Sequence, residues 1–153
     1  MSIVSEGAQG GSSFERVPPQ NVDAEMSVLG GMMLSKDAIA DVIEILRSAD
    51  FYRPAHASVY EVVIELFGRG EPADAVTVGG GLKKKGELER IGGLPYLHTL
   101  VATVPTAANA AYYARIVREQ AQLRSLVEAG ASEEEILEVK EAALADVWRI
   151  LVI

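Results

Sequence analysis

From Asn21 onward, apolar side chains recur at helical spacing. Val22, Met26, Leu29 and Met33 fall at i, i+4, i+7 and i+11, a single stripe of an α-helix. Asn21 suits its N-cap, and Asp23 and Glu25 place negative charge near its positive end. Ser35 reads as the next N-cap, opening a second amphipathic helix with Ile39, Val42, Ile43 and Leu46. Pro54 suits the first turn of a third, which carries Val59, Val62, Val63, Leu66 and Phe67 and stops at Gly68-Arg69-Gly70. Asp74 caps a short fourth helix with Val76, Val78 and Leu82 facing inward. Pro95 opens a fifth with Tyr96, Leu97, Leu100 and Val101.

After Pro105 the texture changes. Residues 106–130 are alanine-rich, contain no glycine or proline before Gly130, and end on that glycine as a helix C-cap. At the rise of an α-helix they make a rod roughly 36 Å long. Ser132 and Glu135 form a capping box, and Ile136, Leu137, Ala143, Leu144, Val147, Trp148 and Leu151 follow at helical spacing. Two helices around a Gly-Ala-Ser break predict an antiparallel hairpin. The expected fold class is all-α: a compact helical bundle head followed by a long helical hairpin.

Composition narrows the function. The chain has 153 residues, 49% of them apolar and 24% charged, as in an ordinary soluble domain. It contains no cysteine, and its histidines, His56 and His98, sit in separate segments, so no metal site is expected. No tract is long enough to span a membrane, which points to the cytoplasm. The net charge of −8 argues against a general nucleic-acid surface and for a protein partner with a basic face. Residues 1–16, rich in Gly and Ser, read as a disordered leader.

The stretch with the look of a phosphate cradle is "VTVGGGLKKKG", residues 76–86. A Walker loop needs G-x-x-x-x-G-K-[ST] between a strand and a helix. Here no Ser or Thr follows the lysines, and the segment from Asp74 to Leu82 reads as helix. The simpler reading is a helix weakened by Gly79, Gly80 and Gly81, with Lys83, Lys84 and Lys85 in its last turn. Glu133, Glu134 and Glu135 read as a helical first turn, His56 as structural, and Tyr112 and Tyr113 lack the interleaved basic residues of a base-stacking platform. No nucleophile, base and orienting acid come together. The expectation is a non-catalytic chain without cofactor.

As an ordered set, four stretches carry a resemblance: "RVPPQNVDAEMSVLGGMML", "DFYRPAHASVYEVVIELFGRGEPADAVTV", "IGGLPYLHTL" and "VPTAANAAYYARIVREQAQLRSLVEAG". Together, from about Val17 to Gly130, they resemble the N-terminal domain of the bacterial replicative DNA helicase, the DnaB family. The resemblance implies a globular head over 17–104 and a hairpin over 105–153. It also implies dimers of this domain, three of which form the collar of a hexameric ring, and docking of the C-terminal domain of primase, with helicase loaders as further partners. The ATPase motor of the family is a separate domain, and neither a membrane nor direct DNA binding is expected here. Two departures stand out. The triple glycine replaces better helix formers, predicting a frayed fourth helix, and residues 131–153 do not match the family's usual continuation. An alternative second arm, an altered end and an engineered helix are all open readings of that tail. The competing functional readings are a self-assembling scaffold built on this domain and a nucleic-acid-binding helical module.

The candidate interface lies on the hairpin. Tyr112, Ile116, Leu123 and Val127 recur close to helical spacing, flanked by Tyr113, Val117 and Leu126, in a stripe longer than a small head can cover. One wall of this helix is expected to pack on the second arm through Ile136, Leu144, Val147 and Trp148. The other is left for a second chain. The predicted interface residues are Tyr112, Ile116, Leu123, Val127 and Trp148.

Overall fold

The computed structural model describes the backbone of residues 17–152 and the side chains of residues 17–145. The leader expected over residues 1–16 lies outside the described residues. Among the described residues the fold is all-α, without strands.

Helix α1 (Val22–Leu34) is the central element, packed against α2 (Lys36–Ile43), α3 (Pro54–Gly68), α6 (Gly93–Thr103) and α7 (Ala110–Glu128). The local start signals act as the sequence predicts. Asn21 Oδ1 accepts the Ala24 N–H at 2.9 Å, Ser35 Oγ accepts from Ala38, and Pro54 stands at the first position of α3. Asp74 and Thr77 form a reciprocal box at the start of α4 (Ala75–Lys84). A short α5 (Leu88–Ile91), which the sequence reading passed over, turns through Gly92 into α6, so α6 begins ahead of Pro95.

Close approach of helices builds the core. A methyl group at Gly30 would overlap the Leu100 carbonyl oxygen, and one at Gly31 would sit 3.3 Å from Ala110 Cβ. Glycine at these two positions lets α6 and α7 lie directly on α1. Helix α7 answers with small residues of its own: Ala110, Ala114 and Ala121 are buried along it, together with Val117 and Leu123. Ala110, Ala114 and Val117 join one continuous core with Val28, Leu29, Met32, Val59, Leu97 and Leu100.

The triple glycine does not fray α4, which is helical from Ala75 to Lys84. Gly79 is buried against Leu94 and Leu97, and a methyl group at Gly81 would sit 2.6 Å from Val62 Cγ1. Packing on α3 and α6 offsets the weak helix propensity. Val76, expected inward, is 68% exposed. Two positions before buried Val78, it projects from the opposite face of the helix.

Candidate functional site

Beyond Glu128 the chain turns at Gly130, whose φ is +79°, and Ser132 and Glu135 cap each other to start α8 (Glu133–Val152). This helix folds back along α7, bringing Ile136, Val139 and Ala143 into partial cover.

Polar contacts fasten the middle of α7 to the head. Asp50, buried in the 3-10 turn Ser48–Asp50, takes Arg118 Nη1 at 3.0 Å and the Arg47 N–H at 2.9 Å. Arg124 donates to the carbonyls of Pro19 and Asp50, both at 2.9 Å, and its guanidinium lies 5.5 Å from the Tyr52 ring centroid. The charge-assisted bonds from two arginines six residues apart fasten the middle of α7 to the head. Between this latch and α8 lies an open cleft of about 820 Å³, with Arg47, Arg115 and Glu119 on its rim and Ala121, Leu126 and Val139 on its floor. Burial pushes the Glu119 carboxyl up from its ordinary pKa, and Lys140 pulls it back.

A second polar constellation has the look of a catalytic triad. His56 Nδ1 lies 2.7 Å from Glu25 Oε1, and its Nε2 lies 2.7 Å from the Tyr96 hydroxyl. Glu25 also accepts the N–H groups of Tyr52 at 2.6 Å and Arg53 at 3.4 Å, just before α3 begins. His56 is 0% and Glu25 1% exposed, so no substrate reaches them. The array ties α1, α3 and α6 together, in keeping with the structural role expected for His56. Glu25, which the sequence marks only as negative charge near the helix's positive end, is a buried hydrogen-bond acceptor. Its position three residues from both Val22 and Val28, on the apolar side of the helix, was the available signal.

The predicted interface residues separate. Leu123 is 1% exposed and buried within the chain, and Ile116 packs partly on the core, lining a small cleft with Tyr113, Asn21 and Ala24. The stripe expected to outrun the head is therefore covered as far as Leu123, because the latch at Arg118 and Arg124 carries the head that far. Tyr112 is half-buried, with its ring edge-on to Tyr113 at 5.6 Å. Val127 is 45% exposed, and the side chain of Trp148 lies outside those described. Leu144, expected against α7, is 55% exposed, as is Leu137 at 54%. Among the described residues no group of His, Asp and Glu is arranged to hold a metal, and no helix is long and apolar enough to cross a membrane.

Comparison with known proteins accounts for this architecture. The family model "DnaB-like helicase N terminal domain" matches residues 17–119. The replicative DNA helicase DnaB of Mycobacterium leprae is 54% identical over 98% of this chain and 28% of its own length. That of Geobacillus stearothermophilus is 47% identical over 77% of this chain and 26% of its own length. This chain thus spans little more than a quarter of those helicases. A match over 98% of the chain runs well past Gly130, so in the M. leprae relative the tail left unmatched by sequence reading falls inside the similarity. The crystal structure of the N-terminal domain of DnaB helicase from Mycobacterium tuberculosis superposes with a TM-score of 0.74 at 60% identity, covering 85% of this chain and 99% of that one. With the matched segment coinciding with the bundle and the first half of α7, this chain belongs to the DnaB-like helicase N-terminal domain family.

Proposed function

We propose that this chain is the non-catalytic assembly and docking domain of a hexameric replicative DNA helicase in the bacterial cytoplasm. In this reading its hairpin makes the dimeric contacts of the ring's collar and contributes to docking the primase C-terminal domain, with a loader as a further partner. ATP hydrolysis and unwinding belong to other parts of the whole protein. The observation that supports this best is the outer face of the hairpin, where Val127, Leu137 and Leu144 stand 45%, 54% and 55% exposed on two adjacent helices. Leu137 and Leu144 are seven residues apart and share one side of α8. Apolar side chains so arranged mark a protein interface, and two such arms side by side could bury roughly 1,600 Å².

The test is solution mass across a concentration series, alone and with primase C-terminal domain, for the chain and for Leu137→Asp/Leu144→Asp. Both substitutions fall on exposed positions, so the melting temperature should hold while self-association and primase binding weaken together. A double variant that associates and binds as before places the interface elsewhere. The pair Ile116→Asp/Leu123→Asp suits this purpose poorly, since Leu123 is buried in the chain itself.

A further inference from the structure

The cleft between head and hairpin has a charge unlike the rest of the molecule. Arg47, Arg115, Arg118 and Arg124 reach it against Asp50, Glu119 and Glu128, an excess of one positive charge in a chain whose net charge is −8. Of the three acidic groups only Glu128 is exposed. Asp50, 3% exposed, is already engaged by Arg118 and by the Arg47 N–H. Glu119 is half-buried on the wall. Arg124 spends its guanidinium on two backbone carbonyls. What remains toward solvent is Arg115, which makes no ion pair among the described residues, and the Arg47 side chain, 74% exposed, whose ion pair at 3.6 Å is to an Asp50 carboxylate already shared with Arg118. Between them the floor is apolar, formed by Ala121, Leu126, Val139 and Ala143.

We infer that this cleft is a docking site for a short acidic segment of a partner protein. One or two apolar side chains enter between α7 and α8, and flanking carboxylates meet Arg115 and Arg47. Guanidinium groups at the rim of an apolar slot suit carboxylates, which they can engage through two parallel N–H donors. A volume of about 820 Å³ is that of a ligand-sized cleft and accommodates a few residues of peptide. Nucleic acid fits less well, because a phosphate backbone needs an extended track of positive charge, whereas the surplus here is local. The inference does not rest on the assembly reading, since Leu137 and Leu144 lie outside the cleft lining.

The experiment uses a fluorescein-labelled peptide, Gly-Ser-Glu-Glu-Leu-Phe-Glu-Glu-Gly-Ser, titrated with the full chain and read by anisotropy. Binding is expected to weaken about tenfold in Arg115→Glu, a loss on the scale of one well-placed charge pair. It should persist in Arg115→Lys and in Leu137→Asp/Leu144→Asp, and fall further when Arg47→Gln is added to Arg115→Glu. A peptide with Ser in place of Leu-Phe should lose most of its affinity, as should the original peptide against Ala143→Trp, which fills the floor. Arg115 is exposed, so its variants should melt like the parent chain. The proposal is overturned by absence of binding at millimolar peptide or by indifference to Arg115→Glu. Equal binding of the Ser peptide or of a single-stranded oligonucleotide of the same charge overturns it as well, by marking a general anion surface.

Discussion

Helices α1 and α8 sit at opposite extremes of constraint. Of the 13 residues of α1, nine are buried, among them two glycines, a serine and a glutamate. Of the described side chains of α8, none is buried, and two of its leucines are more than half exposed. The first helix is packed on most of its sides, so most residues there answer to a particular neighbour. The second is held along one wall and presents the other. The same chain thus contains a region where substitutions should act on folding and a region where they should act on association.

The largest effect should come from Glu25→Ala. It removes the acceptor for His56 and for two backbone N–H groups inside the head, leaving buried donors without partners. A loss of about 3–5 kcal/mol is expected, measured by denaturant unfolding. Glu25→Gln keeps one carbonyl acceptor and should recover part of it. A small effect from Glu25→Ala would mean that α1 is as loosely specified as α8. Gly30→Ala comes next. Its methyl group meets the Leu100 backbone rather than a flexible side chain, and separating α1 from α6 should cost about 3 kcal/mol.

Tyr60 offers a titration that only the head can show. Its hydroxyl donates to the Leu46 carbonyl at 2.7 Å, and burial, with the nearby Asp50 charge second, pushes its pKa from 10.0 up to about 12. A phenol with a raised folded pKa contributes stability that is fully present below pH 10 and is lost as pH climbs through about 12. The stability gap between the chain and Tyr60→Phe should therefore be about 1 kcal/mol at pH 8 and close toward pH 12, as followed by thermal melts. A gap that stays constant to pH 12 would show that the ring ionises as if in water.

The same contrast explains what could be read from sequence. Helix positions and caps were legible because they are local: Asn21, Ser35, Pro54, Asp74 and the Ser132–Glu135 box each act within four residues of themselves. The buried face of α7 was legible only in part, because hydrophobicity marks Leu123, which is buried, but not Ala110, Ala114 and Ala121, which are buried too. Small residues bury little area but permit close approach, and only the partner's glycines reveal it. The partners of Glu25 lie 27 to 31 residues away, beyond any periodicity. Spacing placed Val127 and Leu137 on the two helices where they stand. How far the head reaches along α7 depends on Arg118 and Arg124, whose targets are distant in the chain.

The smallest effect sharpens the comparison within three consecutive residues. Gly79, Gly80 and Gly81 occupy one helix and share one propensity penalty, about 1 kcal/mol each against alanine. Their surroundings differ. A methyl group at Gly81 would press on Val62 at 2.6 Å, and one at Gly79 would meet Leu94 at 3.1 Å, whereas at Gly80 nothing lies within 4 Å. Packing should therefore cancel or reverse the helical gain at Gly81 and roughly offset it at Gly79. At Gly80 the gain should appear undiminished, so Gly80→Ala is expected to stabilise the chain by about 0.5–1 kcal/mol, seen as a rise in melting temperature. If Gly80→Ala and Gly81→Ala raised stability equally, α4 would be as loosely held as α8, and the head's tight specification would stop at α3.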